Sequence, residues 1–118
     1  MQSKPEYELE ERTFQFAVKV RKLLFTLPKN SIALEDIKQL ARSSGSVNAN
    51  YTETNESLGD KDFLFHLKIS RKETKESIYW LRLMKEYNDE RFKDEFESLI
   101  DEARQLESIF SSITNKFK

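Results

Sequence analysis

A chain of 118 residues supports one hydrophobic core and is expected to form a single domain. With 37% hydrophobic and 35% charged residues it argues against a buried parallel sheet, and two glycines with two prolines leave too little turn material for a hairpin-rich fold. The lack of cysteine excludes disulfides, thiol catalysis and thiolate metal sites, and a net charge of −1 gives the whole chain no general pull toward nucleic acid or anionic lipid.

No apolar run is long enough to span a bilayer, and Met1–Glu11 lacks the apolar core of a signal peptide. A cytoplasmic protein with no membrane contact is therefore expected. The spacing predicts a first helix from about Tyr7 to Leu27, stopped by Pro28. Leu9, Phe16, Val20, Leu23 and Leu27 line one face, and Tyr7, Phe14, Val18 and Phe25 lie nearly opposite. A peripheral helix of a monomeric bundle needs one apolar stripe, and this one has two. Either the core-facing arc is broad or the second stripe is a contact surface for another chain; the second is the expectation adopted here.

Pro28–Ser31 is a turn, with Ser31 expected as the N-cap of a second helix and Glu35 and Asp36 near its start, where the helix dipole favours acids. That helix is expected to run from Ser31 to about Leu58, with Gly59 as its C-terminal cap. Its middle, Arg42–Glu53, reads RSSGSVNANYTE and is rich in poor helix formers. The helix is inferred from the period beneath them: Ala33, Ile37, Leu40, Ser44, Val47, Tyr51, Thr54 and Leu58 are spaced alternately four and three apart. A seam that thins to Ser44 and Val47 beside Gly45 lets a neighbouring helix approach closely, its small polar side chains bonding across the contact or back to their own backbone.

Asp60 and Asp62 open a third helix that runs to about Tyr87, with a core seam from Phe63 and Leu67 through Ser70, Thr74 and Ser77 to Leu81 and Met84. A second row, Phe65, Ile69, Trp80, Leu83 and Tyr87, sits roughly 120° to one side, and Glu73 and Glu76 fall in or beside it, so partial burial is expected there. Asn88-Asp89 is the last break. The fourth helix, from about Asp89 to Phe117, carries the cleanest apolar seam, from Phe92 and Phe96 to Phe110 and Ile113. Four long helices joined by short turns are antiparallel neighbours, so the expected fold is all-α, an antiparallel up-down-up-down four-helix bundle.

Glu53, Glu73 and Glu76 are the best candidates for a bundle-core carboxylate site. Such sites hold paired metals with a histidine three residues after a glutamate on two helices, and the one histidine, His66, has no glutamate at that spacing. No metal or cofactor is expected, and His66 is read as an edge-of-core or surface residue. The carboxylates are instead expected to pair with Arg42 and Lys72 and with the amides of Asn48 and Asn50, as a polar network within or between subunits. A ligand pocket is the other use of the same residues. Nothing activates a serine nucleophile and no glycine-rich loop cradles phosphate, so no enzymatic activity is expected. Lys68, Arg71, Lys72, Lys75 and Arg82 share about 100° of arc on the third helix, with Tyr79 among them and Glu86 at the end. This basic stripe is either a solvated helix face or a track for a phosphate backbone.

The stretches QLARSSGSVNANYTE and FLFHLKISRKETKESIYWLRLM resemble the 23S rRNA-intervening sequence protein family, encoded within bacterial large-subunit ribosomal RNA genes. The resemblance runs from about Glu10 to Phe117. It rests on Arg42, Ser43, Ser46, Ala49, Asn50, Tyr51 and Glu53, paired with Lys72, Glu73, Glu76, Tyr79, Trp80 and Leu81, and on the opening ERTFQFA. It implies a four-helix bundle that assembles as a ring-like homopentamer, without an established catalytic activity. It also implies kinship with accessory proteins of diversity-generating retroelements, which pair with a reverse transcriptase and contact nucleic acid through basic surfaces. The slightly acidic chain departs from those relatives, so any nucleic-acid binding is expected to be weak. The expectation is a non-enzymatic homo-oligomer acting as an interaction or scaffold protein, with Tyr7, Phe14, Val18, Phe25, Ile69 and Trp80 at its interfaces. A nucleic-acid-binding accessory role is the alternative.

Overall fold

Apolar residues recurring every three or four positions give each helix one buried face, and four such faces close on one another around a common core. The computed structural model describes residues 5–117, which form α1 (Pro5–Thr26), α2 (Ser31–Asn55), α3 (Asp60–Tyr87) and α4 (Lys93–Asn115), with a short 3-10 turn at Glu90–Phe92. The helices run up, down, up and down. α4 supplies the aromatic half of the core: Phe96, Ala103, Leu106 and Phe110 are fully enclosed, and the Tyr51 ring lies 5.8 Å from Phe110. α1 contributes Phe16, Val20, Leu23 and Leu27, the face expected from their spacing. No described helix is long and apolar enough to cross a membrane.

The α2–α3 contact is built from small side chains. Ser43, Ser44 and Thr54 of α2 and Ser70, Thr74 and Ser77 of α3 are all buried, interleaved with Leu40, Val47, Leu67 and Leu81. Ser43 Oγ and Ser77 Oγ share a hydrogen bond of 2.8 Å, and Ser70 Oγ donates to the Val47 carbonyl at 3.1 Å. Bonds this short between helix surfaces require the close approach that small residues permit.

The helix ends depart from expectation. Asn30, not Ser31, caps α2, its Oδ1 accepting from the Ala33 amide at 2.9 Å; asparagine holds that geometry as well as serine, one residue earlier. α2 stops at Asn55, leaving Leu58 97% exposed in the connection rather than on the seam. Gly59 is extended and stands at the N-terminal cap of α3 instead of closing α2. The last break is longer than Asn88-Asp89 alone. Asp89 Oδ1 accepts from the Arg91 amide and starts the 3-10 turn, so α4 begins at Lys93 with Phe92 buried just ahead of it.

Candidate functional site

Where α2 and α3 run side by side, Arg42 of α2 reaches across to two carboxylates one turn apart on α3. Its guanidinium lies 2.9 Å from Glu73 Oε2 and 2.5 Å from Glu76 Oε1. Glu73 is nearly enclosed, with 9% of its side chain exposed, whereas Arg42 is 50% exposed. The clamp thus caps the edge of the core from outside and is not sunk within it. Its bond to Glu76, then that to Glu73, raises the Arg42 pKa, and the same contact holds the Glu76 carboxyl below the ordinary carboxylate range. Trp80 Nε1 also donates to Glu76, at 3.5 Å.

The other expected members of this network lie elsewhere. Glu53 is exposed, and it stands three turns along α2 from Arg42, beyond the level of Glu73 and Glu76. Lys72 is exposed too: one residue before Glu73, it is rotated by about 100° onto the outer face. Asn48 joins α2 to α1, donating to the Glu10 carbonyl at 3.1 Å and to Thr13 Oγ1 at 3.0 Å. Asn50 donates to Ser46 at 3.0 Å, and its Oδ1 sits 3.4 Å from His66 Nδ1. His66 also faces Asp62 at 3.5 Å, an edge position as expected. Among the described residues no group of three or more histidine or acidic side chains converges on a metal position.

Several ties were not foreseen. Arg21 of α1 lays its guanidinium over Gly45, donating to the Ala41 carbonyl at 3.0 Å; a Cβ at Gly45 would fall 2.9 Å from Arg21 Nη2. Glycine here admits a side chain from α1, a role that its position beside the seam only half discloses. Arg12 holds Glu102 of α4 through bonds of 2.7 and 2.8 Å, and Tyr87 donates to Asp36 at 2.8 Å. Neither pair leaves a local sequence signal, since the partners are far apart in the chain. All four helices line a cleft of about 620 Å³, through Leu9, Tyr51, Phe63, Ile109 and Ile113, away from the Arg42 clamp.

Two surfaces remain open. On α1, Tyr7, Phe14 and Phe25 are exposed, Phe25 by 81%, and Val18 is half-buried between them. On α3, Phe65, Leu83 and Tyr87 are exposed, while Ile69 and Trp80 are half-buried, Trp80 resting on the core and against Tyr79 at 4.8 Å. The basic stripe beside them is solvated: Lys68, Lys72, Lys75 and Arg82 are exposed and Arg71 half-buried. Among the described residues none of the five forms an ion pair, and Glu73 and Glu76 on the same helix are engaged by Arg42.

Comparison with known proteins follows the same outline. The family model described as 23S rRNA-intervening sequence protein matches residues 6–112. A crystal structure of a protein of unknown function from the S23 ribosomal protein family of Bacteroides thetaiotaomicron VPI-5482 is similar, with a TM-score of 0.80 and 27% sequence identity. The similarity covers 93% of this chain and 97% of that one. No curated protein matches the chain.

Proposed function

Starting from the fact that the chain belongs to the 23S rRNA-intervening sequence protein family, we propose that it is a non-enzymatic, homo-oligomeric interaction or scaffold module. The observation that carries this reading is the outer strip of α1. A bundle helix that already buries Phe16, Val20 and Leu23 on one side has no folding reason to carry Tyr7, Phe14 and Phe25 on the other. The exposed row on α3, Phe65, Leu83 and Tyr87, offers a second surface of the same kind. Light scattering on the purified protein tests the reading. An assembly is expected, and Phe14→Glu with Phe25→Glu should dissociate it while circular dichroism keeps its helical signal. A stable monomer for the unmodified chain refutes it.

One observation favours a second reading, the nucleic-acid accessory role: five cations on α3 with no ion pair among the described residues. On a chain of net charge −1, binding would rest on that stripe repeated by symmetry. Affinity for structured RNA is expected to be micromolar or weaker at about 0.15 M salt. A fluorescence titration that gave nanomolar affinity, lost on Lys68→Glu with Lys75→Glu, would reverse the order of the two readings.

A further inference from the structure

The seam of α2 ends at Thr54, and its next member by period, Leu58, is 97% exposed in the connection to α3. At that end of the bundle α1 begins and α4 finishes, and the cleft of about 620 Å³ opens there among all four helices. Its walls are apolar. Leu9 and Tyr51 are buried, while Phe63, Ile109 and Ile113 are half-buried, packed on the core and also lining the cleft. Phe117 steadies the Phe63 ring, the two centroids 5.3 Å apart. Ordinary core packing leaves few voids larger than a water molecule, whereas this space has the size of small-molecule sites, about 300–1,000 Å³.

Arg12 lines the same cleft and ties α1 to α4. Its Nε and Nη2 donate to Glu102 at 2.7 and 2.8 Å, and Nη2 also donates to Gln105 at 2.8 Å. Among the described residues Nη1 donates to nothing, so two N–H groups of the guanidinium remain to offer. Glu102 already balances the arginine charge, and Glu8 adds a second carboxylate to the lining. An anion is disfavoured beside those two acids, and a cation would have to leave water for apolar walls.

From these observations we propose that the end cleft binds an uncharged, mainly apolar small molecule carrying one hydrogen-bond acceptor, such as a ketone or an ester. Its apolar body lies against Leu9, Phe63, Ile109 and Ile113, and its acceptor takes an N–H from Arg12. The site is complete within one chain and does not depend on the homo-oligomeric reading.

The test is a fluorescence titration of the intact protein with Prodan, an uncharged naphthyl ketone whose emission moves to the blue in apolar surroundings. Saturable binding in the micromolar range is expected, and weaker binding of the anionic anilinonaphthalene sulfonate. Ile113→Trp, which fills the cleft, should weaken Prodan binding at least about tenfold while circular dichroism keeps its helical signal. Arg12→Met should weaken Prodan about tenfold yet leave phenylnaphthylamine, which has no carbonyl, within about twofold. Phe14→Glu with Phe25→Glu should leave Prodan binding unchanged, because the outer strip of α1 takes no part. Methyl NMR gives a readout that needs no variant: Prodan should shift the Ile109 and Ile113 signals and not that of Val18. Absence of saturable binding overturns the proposal, as does a response at Val18 alone or binding that survives Ile113→Trp. Tighter binding of the sulfonate than of Prodan overturns the uncharged class of ligand.

Discussion

Truncating Arg42 to alanine removes the one cation shared by Glu73 and Glu76, and the size of the effect depends on how far each carboxylate is from water. Breaking a fully buried pair leaves a stranded charge and costs about 3–5 kcal/mol, whereas an exposed pair contributes about 0–1 kcal/mol. Here the two ends differ: Glu73 is 9% exposed, Glu76 31% and Arg42 50%. Losing the long arginine side chain also opens a path for water to Glu73, which reduces the stranding. The expected loss for Arg42→Ala is therefore about 1–2 kcal/mol, between the two regimes. Urea denaturation measures it, together with Glu73→Gln and the double variant. Glu73→Gln in the Arg42→Ala background should recover part of the loss, because the neutral amide removes the unpaired charge. A loss below about 0.5 kcal/mol, the range of ordinary surface substitutions, would refute the claim that the clamp holds α2 to α3. The pH dependence has a definite sign. Arg42 holds Glu76 below its ordinary pKa of 4.5, so the stability from this contact is fully present above that value and is lost as pH falls through the lower folded-state value. In Arg42→Ala the acid limb of stability should be correspondingly shallower.

Gly45→Ala should change stability by less than about 0.5 kcal/mol, because the helix propensity gained, about 1 kcal/mol, is offset by displacement of Arg21 from the Ala41 carbonyl. In an Arg21→Ala background the same substitution should stabilise by about 1 kcal/mol, and thermal melts of the four proteins check the pair. Ser77→Leu should destabilise by about 1–3 kcal/mol or more by forcing α3 away from Ser43, readable in the same urea melts. Any RNA binding seen at low salt should fall steeply between about 50 and 200 mM salt, since it would depend on counterion release, and a salt-independent signal would point away from the basic stripe.

The four helices, their order and their buried faces were legible in the sequence because each face is a long run of one period: Phe96, Leu99, Ala103, Leu106 and Phe110 leave little choice. The open strip on α1 was legible for the same reason. Helix ends were less so, because Asn30 and Ser31 are both good caps and one residue separates the alternatives. The polar network was half legible. Arg42, Glu73 and Glu76 converge because the two acids are one turn apart on the face that meets α2. Glu53 and Asn50 share the stretch of sequence but not the level along the bundle, and a periodicity argument fixes direction around a helix without fixing height against its neighbour. Arg21 over Gly45 and Arg12 on Glu102 depend on that same missing height.

Height is also what the serine-lined seam leaves weakly determined. Ser77 donates to the Glu73 carbonyl at 2.9 Å, Thr74 to Ser70 at 2.7 Å and Thr54 to Asn50 at 2.9 Å, each within its own helix. Those hydroxyls are satisfied before the helices meet and would stay satisfied if α3 slid by one turn, about 5.4 Å, past α2. Bulky side chains punish such a slip at once; hydroxyls that look after themselves resist it far less. The native setting is held by the leucines and valine between those hydroxyls, Leu40, Val47, Leu67 and Leu81, and by the bonds that a slip would break: Ser43–Ser77, Ser70 to Val47, Tyr87 to Asp36 and the Arg42 clamp.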